Sequence, residues 1–403
     1  MRQQAGEKLS RRKFLEQTGT LAGIFALSQI LPKDNQAAQE FRPLGEGTDA
    51  RSVAELLYSS LKRRLEKQTV FPSSNFLKQT RINDFAYSQV VTAYLDMGPV
   101  NGSLPAWRQG LTSAVENFTN FQNAEIYPLL ASMPRKFQDR NLVRDVYNDD
   151  NIWDMLDILR YVRQYQSADS PLLQTVAAVY DIIKDDTGSG DSCGVKLTHW
   201  KSQQPGETNH DKNTVSNAPL VTVALRLYGL TGRRDYLAQG ETIMENLDRS
   251  GLLDRRDNLY MDHITPGCAI AREKYSYNQG TPIGAKVLLY KAAKEERYLH
   301  EAEQTARSAL RFYNGGWQDR SITFMSIFYR NLLLLTNATE DSVLREAIHT
   351  SFRQYTSFLK TEIDGGTGGV VRQGKKVDIG QQASAASLFA MACWPNKLYD
   401  LLV

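Results

Sequence analysis

The 403-residue sequence predicts an all-α fold, an (α/α)6 barrel or toroid of about twelve helices. Apolar residues recur at steps of three and four almost throughout, which is the period of one helix face, and alternating strand-like runs are scarce. The connections also alternate between short and long. Because consecutive antiparallel helices place alternate loops at opposite ends, this alternation collects the long loops on one face.

Each helix is placed by its apolar period and its flanking cap residues. The predicted helices cover residues 50–67, 82–97, 105–120, 150–166, 171–185, 215–230, 233–248, 278–293, 296–313, 321–336, 341–359 and 382–392. Connections after the even-numbered helices are short. Those after the odd-numbered helices are mostly long, over 121–149, 186–214, 249–277 and 360–381, whereas 68–81 is intermediate and 314–320 is short. A binding surface is therefore predicted on the long-loop face. An open helical solenoid is the alternative, and the number of units favours closure.

Residues 1–32 are predicted to be a twin-arginine signal peptide. Arg11 and Arg12 lie in a basic start that precedes an uncharged, weakly apolar run over 18–28. A membrane-spanning helix would need about 20 apolar residues, so a short run after a basic start indicates a signal peptide. The paired arginines resemble a twin-arginine export signal. Ala26-Leu27-Ser28 is a candidate cleavage site, and retention of the segment as an anchor is the alternative.

The chain that follows the leader is formally neutral. Residues 1–28 hold five basic and two acidic side chains, so the remainder has 43 of each. The basic balance therefore belongs to the leader and gives no indication of a nucleic-acid partner. Residues 33–49 are polar and predict a flexible linker, and residues 50–403 predict one (α/α)6 domain, expected to be a monomer.

The three cysteines, Cys193, Cys268 and Cys393, are widely separated. An odd number without close spacing predicts neither a disulfide framework nor a zinc site. A fold that does not rely on disulfides would also suit a protein that folds before export.

Asp149 and Asp150 stand side by side where a long loop meets the helix predicted over 150–166. One aspartate would serve as a helix cap. The second gains little as a cap, and repulsion between the two raises the pKa of one of them. One ionised and one protonated carboxyl group, about 5–5.5 Å apart, are what retaining glycoside hydrolysis requires. The pair by itself leaves both the cap and the catalytic interpretation open.

Polar and aromatic residues cluster at two other helix starts on the same face. One cluster is 211–217, preceded by 198–201, and the other is 274–284 with Tyr275 and Tyr277. Aromatic rings and amides suit the apolar face and the hydroxyls of a sugar, although capping and core packing explain each cluster taken alone. A further acidic group, Asp185, Asp186 and Asp191, is predicted to be a helix-ending turn with solvated charge.

Three motifs in order resemble glycoside hydrolase family 76. Asp149-Asp150-Asn151 with Trp153 resembles its Tyr-Asp-Asp-Asn-x-Trp signature, although Tyr147-Asn148 precedes the pair here. The segment 213–217 is similar to the family's Lys-Asn-Thr-Ile-Ser-Asn, and 277–280 to its Tyr-Asn-Gln-Gly. Together the matches span about residues 85 to 335.

The resemblance implies a catalytic (α/α)6 domain that acts as a retaining, endo-acting α-1,6-mannanase. Asp149 would be the nucleophile and Asp150 the acid/base. The residues expected to line the sugar-binding cleft are Trp200, Asn217, Tyr277, Asn278 and Gln279. No cofactor or metal is implied. The implied partners are a mannan-like glycan and, during export to the periplasm, cell surface or medium, the twin-arginine translocase. A transglycosylase that remodels cell-surface glycan, and an inactive glycan-binding protein, remain alternatives.

Overall fold

The computed structural model describes residues 48–67, 84–101, 147–165, 170–187, 193–203 and 207–403. The predicted leader, most of the linker and the predicted helix 105–120 lie outside the described residues.

Eleven α-helices occur in these ranges. They are α1 (Ala50–Lys67), α2 (Asp84–Asn101), α3 (Asn148–Tyr165), α4 (Pro171–Asp185), α5 (Thr214–Thr231), α6 (Arg234–Arg249), α7 (Ser276–Ala293), α8 (Glu296–Phe312), α9 (Ile322–Thr336), α10 (Ser342–Lys360) and α11 (Ile379–Met391). Each corresponds to one of the predicted helices, with ends that agree to within four residues.

Six of the helices form a closed inner ring. In order around the ring, α2, α3, α5, α7, α9 and α11 each pack against the next, and α11 packs back against α2. The other described helices, α1, α4, α6, α8 and α10, lie outside this ring and pack against its members. The predicted α/α toroid is confirmed, and the open solenoid is wrong because α11 contacts α2.

The distribution of apolar side chains separates inner from outer helices. The inner helix α7 is buried at nearly every position from Ser276 to Leu289. The outer helix α8 instead buries one stripe, which includes Tyr298, Ala302 and Ala309. A helix that is surrounded by others must be apolar on all sides, whereas a peripheral helix needs only one apolar face.

Two glycines allow α7 and α9 to approach each other closely. A Cβ atom on Gly280 would lie 2.8 Å from the Cα of Phe328, and a Cβ on Gly284 would overlap Oδ1 of Asn331. Any larger residue at these positions would push the two inner helices apart.

Short strands organise the loops that precede the inner helices. They are β1 (Lys212–Asn213), β2 (Leu253–Asp254), β3 (Leu259–Tyr260), β4 (His263–Ile264), β5 (Ile270–Ala271), β6 (Val371–Arg372) and β7 (Lys375–Lys376). A three-stranded antiparallel sheet has the order β1-β4-β5, and its register pairs Asn213 with His263. The loops before α5 and α7 are thereby joined at the same end of the toroid. Strands β2–β3 and β6–β7 form two separate hairpins.

A disulfide joins Cys193 to Cys268, so the expectation of a fold without disulfides is wrong. The two cysteines are 75 residues apart, in the loops before α5 and α7. Sequence spacing does not reveal this pair, because only the packing of the two loops brings the cysteines together. Cys393 is a free thiol. None of the described helices combines the length and the apolar character that crossing a membrane requires.

Candidate active site

The acidic pair lies in the first turn of α3, at the long-loop face of the ring. Asp149 is half-buried, and Asp150 is 5% exposed. The backbone dipole favours carboxylates at this end of a helix. Ile152 and Met155, on the next turn, belong to the main core and fix the rotation of the helix about its axis. The predicted separation of the two carboxyl groups stays a prediction.

The segment 198–201 runs directly beside the start of α3. The backbone N–H of Asn148 donates to the carbonyl of Trp200 over 2.8 Å, and Tyr147 forms an antiparallel bridge with Lys201. The ring centroids of Tyr147 and Trp200 lie 4.9 Å apart. Trp200, a predicted sugar-binding residue, is thus placed next to the acidic pair, with its side chain mostly buried.

A small apolar cluster beside the main core, with Leu156 packed against both, is built from five of the inner helices. Its members, here called the axial cluster, are Phe85, Trp153, Leu156, Val215, Tyr277 and Ile327. The cluster brings Tyr277, another predicted sugar-binding residue, into the same group of side chains as Trp153, one turn below the acidic pair.

Tyr277 also belongs to an aromatic group where α7 and α9 begin. Its ring stacks on that of Tyr275, with centroids 5.7 Å apart, and lies 4.2 Å from the ring of Phe324. All three rings are partly exposed. Partly exposed rings offer the apolar surface on which a sugar face packs.

Asn278 is fully buried beside an acidic residue that the sequence did not single out. Its Nδ2 donates to Oδ1 of Asp262 over 2.9 Å, and the other carboxylate oxygen of Asp262 lies 2.6 Å from Nδ1 of His263. The β1–β4 pairing holds this group next to the start of α5. No sequence signal marked His263, because its pairing with Asp262 and Asn278 depends on the loop conformation.

Asn217 is fully buried, and the hydrogen-bond partners of its side-chain amide are backbone atoms. Its Oδ1 accepts from the N–H of Thr198 over 2.9 Å, and its Nδ2 donates to the carbonyls of Thr198 and Asn213. Asn217 therefore attaches the segment 198–201 to α5.

Gln279 makes the same pattern of bonds one inner helix further along. Its Oε1 accepts from the N–H of Tyr260 over 2.7 Å, and its Nε2 donates to the carbonyls of Tyr260 and Tyr275. Like Asn217, it has no exposed surface.

An amide at the fourth residue of an inner helix recurs four times. Asn151, Asn217, Gln279 and Gln382 occupy this position in α3, α5, α7 and α11, and each binds backbone of the preceding loop or helix start. The amides fix the long loops to the ring. Direct sugar binding by Asn217 and Gln279 stays a prediction, and it would require them to give up these bonds.

A buried charged network lies further along the ring axis. Arg160 and Arg330 both donate to the carboxylate of Asp96, and Thr92 donates to Asp157 over 2.6 Å. Burial raises the pKa of Asp157 to about 7, against the lowering effects of Arg160 and Thr92. A cavity of about 40 Å³ is lined by Thr92, Asp157, Arg160 and Arg330 of this network and by Trp153, Leu156 and Ile327 of the axial cluster.

Asn148 and Asp186 form a hydrogen bond that was not predicted from the sequence. Nδ2 of Asn148 donates to Oδ2 of Asp186 over 2.8 Å. Asp186 does end α4, as predicted, but its side chain is only 15% exposed, so the expectation of a solvated charge is wrong for this residue. Asp185 beside it is 75% exposed, as predicted, and pairs with Lys184, whereas Asp191 lies outside the described residues.

The fold and the site together define a class of protein. A closed ring of helices presents two adjacent carboxyl groups, aromatic rings and buried amides under long loops, which is the chemical equipment of a glycoside-cleaving enzyme. Among the described residues, no group of three or more His, Cys, Asp or Glu side chains is arranged to hold a metal ion.

The family model of glycosyl hydrolase family 76 matches residues 117–393, and the chain belongs to this family. A curated relative, the mannan endo-1,6-alpha-mannosidase DCW1 of Candida albicans, is 28% identical over 118 residues. That match covers 28% of this chain and 26% of the relative, so the chain matches about a quarter of the relative's length.

Several solved structures share the fold. One is an inactive variant of the α-1,6-mannanase GH76A of Salegentibacter sp. HEL1_6, with two adjacent aspartates replaced by asparagine, in complex with α-1,6-mannotriose. It is 20% identical with a TM-score of 0.65, and the match covers 85% of this chain and 98% of that one. Another is Dfg5 from Chaetomium thermophilum in complex with glucosamine, 16% identical with a TM-score of 0.66, covering 89% and 94% of the two chains.

Proposed function

We propose that the protein is an exported, retaining glycoside hydrolase that cleaves α-1,6-linked mannan or a related mannose-containing glycan within the chain. The observation that carries the proposal is the acidic pair Asp149–Asp150 in the first turn of an inner helix, with Trp200 beside it and Tyr277 on the neighbouring axial cluster.

In the proposed reaction, Asp149 attacks the anomeric carbon of a mannosyl unit as its bond to the leaving oxygen breaks. Asp150 gives its proton to that oxygen, and the reducing-end part of the chain departs. Asp150, now ionised, takes a proton from water, whose oxygen attacks the anomeric carbon and releases Asp149. Two inversions leave the α configuration unchanged.

The family and its relatives support the choice of glycan. The Salegentibacter enzyme is named an α-1,6-mannanase, and its inactive variant lacks two adjacent aspartates and holds α-1,6-mannotriose. The Candida relative is named an endo-1,6-alpha-mannosidase. An adjacent aspartate pair stands at the start of α3 in this chain.

Replacement of either aspartate by asparagine tests the proposed reaction. On linear α-1,6-mannan, Asp150→Asn should lower kcat by about 10²–10⁴-fold, because it removes general acid and base catalysis. Asp149→Asn should lower it at least as far, because no glycosyl–enzyme bond can form. Release of oligosaccharides over time measures both effects. Asp185→Asn, a change at an exposed aspartate, is the matched control and should keep wild-type activity.

Substrates with different leaving groups distinguish the nucleophile role of Asp149 from the acid/base role of Asp150. A mannoside whose leaving group needs no protonation should restore the first step in Asp150→Ala but not in Asp149→Ala. With azide present, Asp150→Ala should then form the α-mannosyl azide. Wild-type activity in either asparagine variant would contradict the assignment, and β-configured first products would contradict the retaining mechanism.

Transfer to a sugar acceptor is the second reaction that the same covalent intermediate permits. With α-1,6-mannotetraose as substrate, hydrolysis gives only shorter products, whereas transfer gives longer ones. Binding without any product from a panel of α-mannosides would favour an inactive glycan-binding protein and would defeat the proposal.

We also propose export by the twin-arginine pathway. The support for the pathway comes from Arg11 and Arg12 in the leader. The disulfide between Cys193 and Cys268 supports only an oxidising destination, because such bonds persist there.

A further inference from the structure

Asn148 links the acidic pair to two other segments of the chain. Its Nδ2 has two hydrogens, and both are used: one is donated to Oδ2 of Asp186 over 2.8 Å, the other to the carbonyl of His199 over 3.0 Å. Its backbone N–H donates to the backbone carbonyl of Trp200 over 2.8 Å. Asn148 is 1% exposed. A helix-capping asparagine accepts from its own helix through its oxygen, whereas this one donates outward to neighbouring elements.

Asp186, the acceptor, is itself held in place from several directions. Its carbonyl accepts from the backbone N–H of His199 over 3.2 Å and lies 2.9 Å from Nδ1 of the same residue. Because a carbonyl oxygen only accepts, that ring nitrogen carries the proton. The backbone N–H of Gln203 adds a bond to the Asp186 carboxylate over 3.3 Å. The end of α4 and the segment 198–203 therefore form one unit.

This unit is also attached to the rest of the ring. Asn217 fixes Thr198 to α5, and the N–H of Trp200 is donated to the carbonyl of Asp211 over 2.7 Å. Beside the Tyr147–Lys201 bridge, Asn148 is consequently the residue whose side chain joins this multiply bonded unit to the helix turn that carries Asp149 and Asp150.

We propose that Asn148 is a positioning residue for the acidic pair, and that it acts through its hydrogen bond to Asp186. The inference rests on the proposed function, because it concerns the orientation of Asp149 toward the anomeric carbon and of Asp150 toward the leaving oxygen. A shift of about 1 Å in such groups can cost on the order of 10²-fold in rate. Asn148 is 1% exposed and so offers almost no surface to a sugar, which is why its loss should act on the reaction step rather than on binding.

The test is steady-state kinetics of Asn148→Ala and Asp186→Ala on a linear α-1,6-mannan. Each variant should lose about 10- to 100-fold in kcat, with KM within about threefold of wild type. The double variant should be little worse than either single variant, because both remove the same bond. Asp186→Asn keeps an oxygen that accepts from Asn148 and should retain most of the activity.

The control is Asn337→Ala. Asn337 is exposed at the end of α9, and its Nδ2 donates to the carbonyl of Asn396 over 2.8 Å. Its loss should change neither kcat nor KM. If Asn148→Ala does not fold, as judged by its thermal transition, Asn148→Ser replaces it. Serine stays polar and keeps the backbone N–H bond to Trp200, but it is too short to bond both Asp186 and His199.

The outcomes separate this inference from the function on which it rests. Wild-type kcat in Asn148→Ala or Asn148→Ser, or a loss confined to KM, overturns the positioning role and leaves the hydrolase intact. Multiplicative losses in the double variant overturn the coupling between Asn148 and Asp186. A wild-type protein that turns over no α-mannoside defeats the proposed function, and with it the positioning role.

Discussion

Asp157 illustrates how one buried residue can influence the whole domain. It lies on α3, about two turns beyond the acidic pair, and is 3% exposed. Thr92 donates to one of its oxygens, Arg160 lies 3.9 Å from the same oxygen, and Asp96 and Arg330 complete the charged surroundings. Because burial raises its pKa to about 7 from 3.8, the folded protein binds this proton more tightly than the unfolded chain does.

The raised pKa predicts that Asp157→Asn stabilises the fold in a pH-dependent way. Wild type loses stability through this group as pH rises from about 4 to about 7, since ionisation is easier in the unfolded state. Asparagine does not titrate and still accepts from Thr92. The free-energy difference between variant and wild type should therefore be small at pH 4 and grow to at most about 4 kcal/mol at pH 8. Denaturant unfolding at both pH values measures it, and an equal difference at both would contradict the argument.

At the scale of elements, the segment 193–203 does more than connect α4 to α5. It pairs with the start of α3, supports Asp186, and is bonded to α5 by Asn217. Its first residue, Cys193, is bonded covalently to Cys268 between β4 and β5. One segment thus joins three inner-helix starts, and the position of Trp200 depends on all of these attachments.

Removal of the disulfide should destabilise the domain. Closing a loop of 75 residues restricts the unfolded chain, which predicts a loss of up to about 4 kcal/mol in the double variant Cys193→Ser/Cys268→Ser. Urea unfolding in the absence of reductant measures the loss. Cys393→Ser, which removes the half-buried free thiol, is the control for the serine substitutions. Equal stability of wild type and the double variant would show that the bond does not contribute.

At the scale of the whole molecule, closure of the ring depends on contacts between distant parts of the chain. Helix α11 packs against α2, and Nε1 of Trp394 donates to the carbonyl of Asp96 over 2.8 Å. Arg330, which also binds Asp96, donates from its Nη1 to the carbonyl of Leu402 over 2.9 Å. The site at the long-loop face is therefore supported by a ring that is complete only when both chain ends of the domain are folded.

The proposed export signal is tested in the full-length protein by replacing its two arginines. Arg11→Lys with Arg12→Lys keeps the positive charge but removes the paired guanidinium groups that the export signal requires. We expect fractionation and immunoblotting to detect wild type outside the cytoplasm and the variant inside the cell. Unchanged export of the variant would contradict the twin-arginine assignment. Asp185→Asn serves again as a substitution that should leave the distribution unchanged.

Part of the site was predictable from residues that are close in sequence. Asp149 and Asp150 follow each other, and a repulsive pair at a helix start is visible without any fold. Alternating loop lengths placed this pair on one face with Trp200 and Tyr277, and the structure brings these residues to the starts of inner helices. The bonds of Asn148 to Asp186 and of Asn278 to Asp262 were not predictable, because their partners are 38 and 16 residues away along irregular loops.

The sequence by itself determined the helices, their alternation and the acidic pair, since these follow from local periodicity, capping and adjacency. Only the tertiary structure decided which contacts hold the pair. It assigned Asn217 and Gln279 to backbone bonds, joined Cys193 to Cys268, and buried Asp186 that had been expected to be solvated. The physical reason is that hydrogen bonds and disulfides between loops depend on distances in space, and helical periodicity carries no information about those distances.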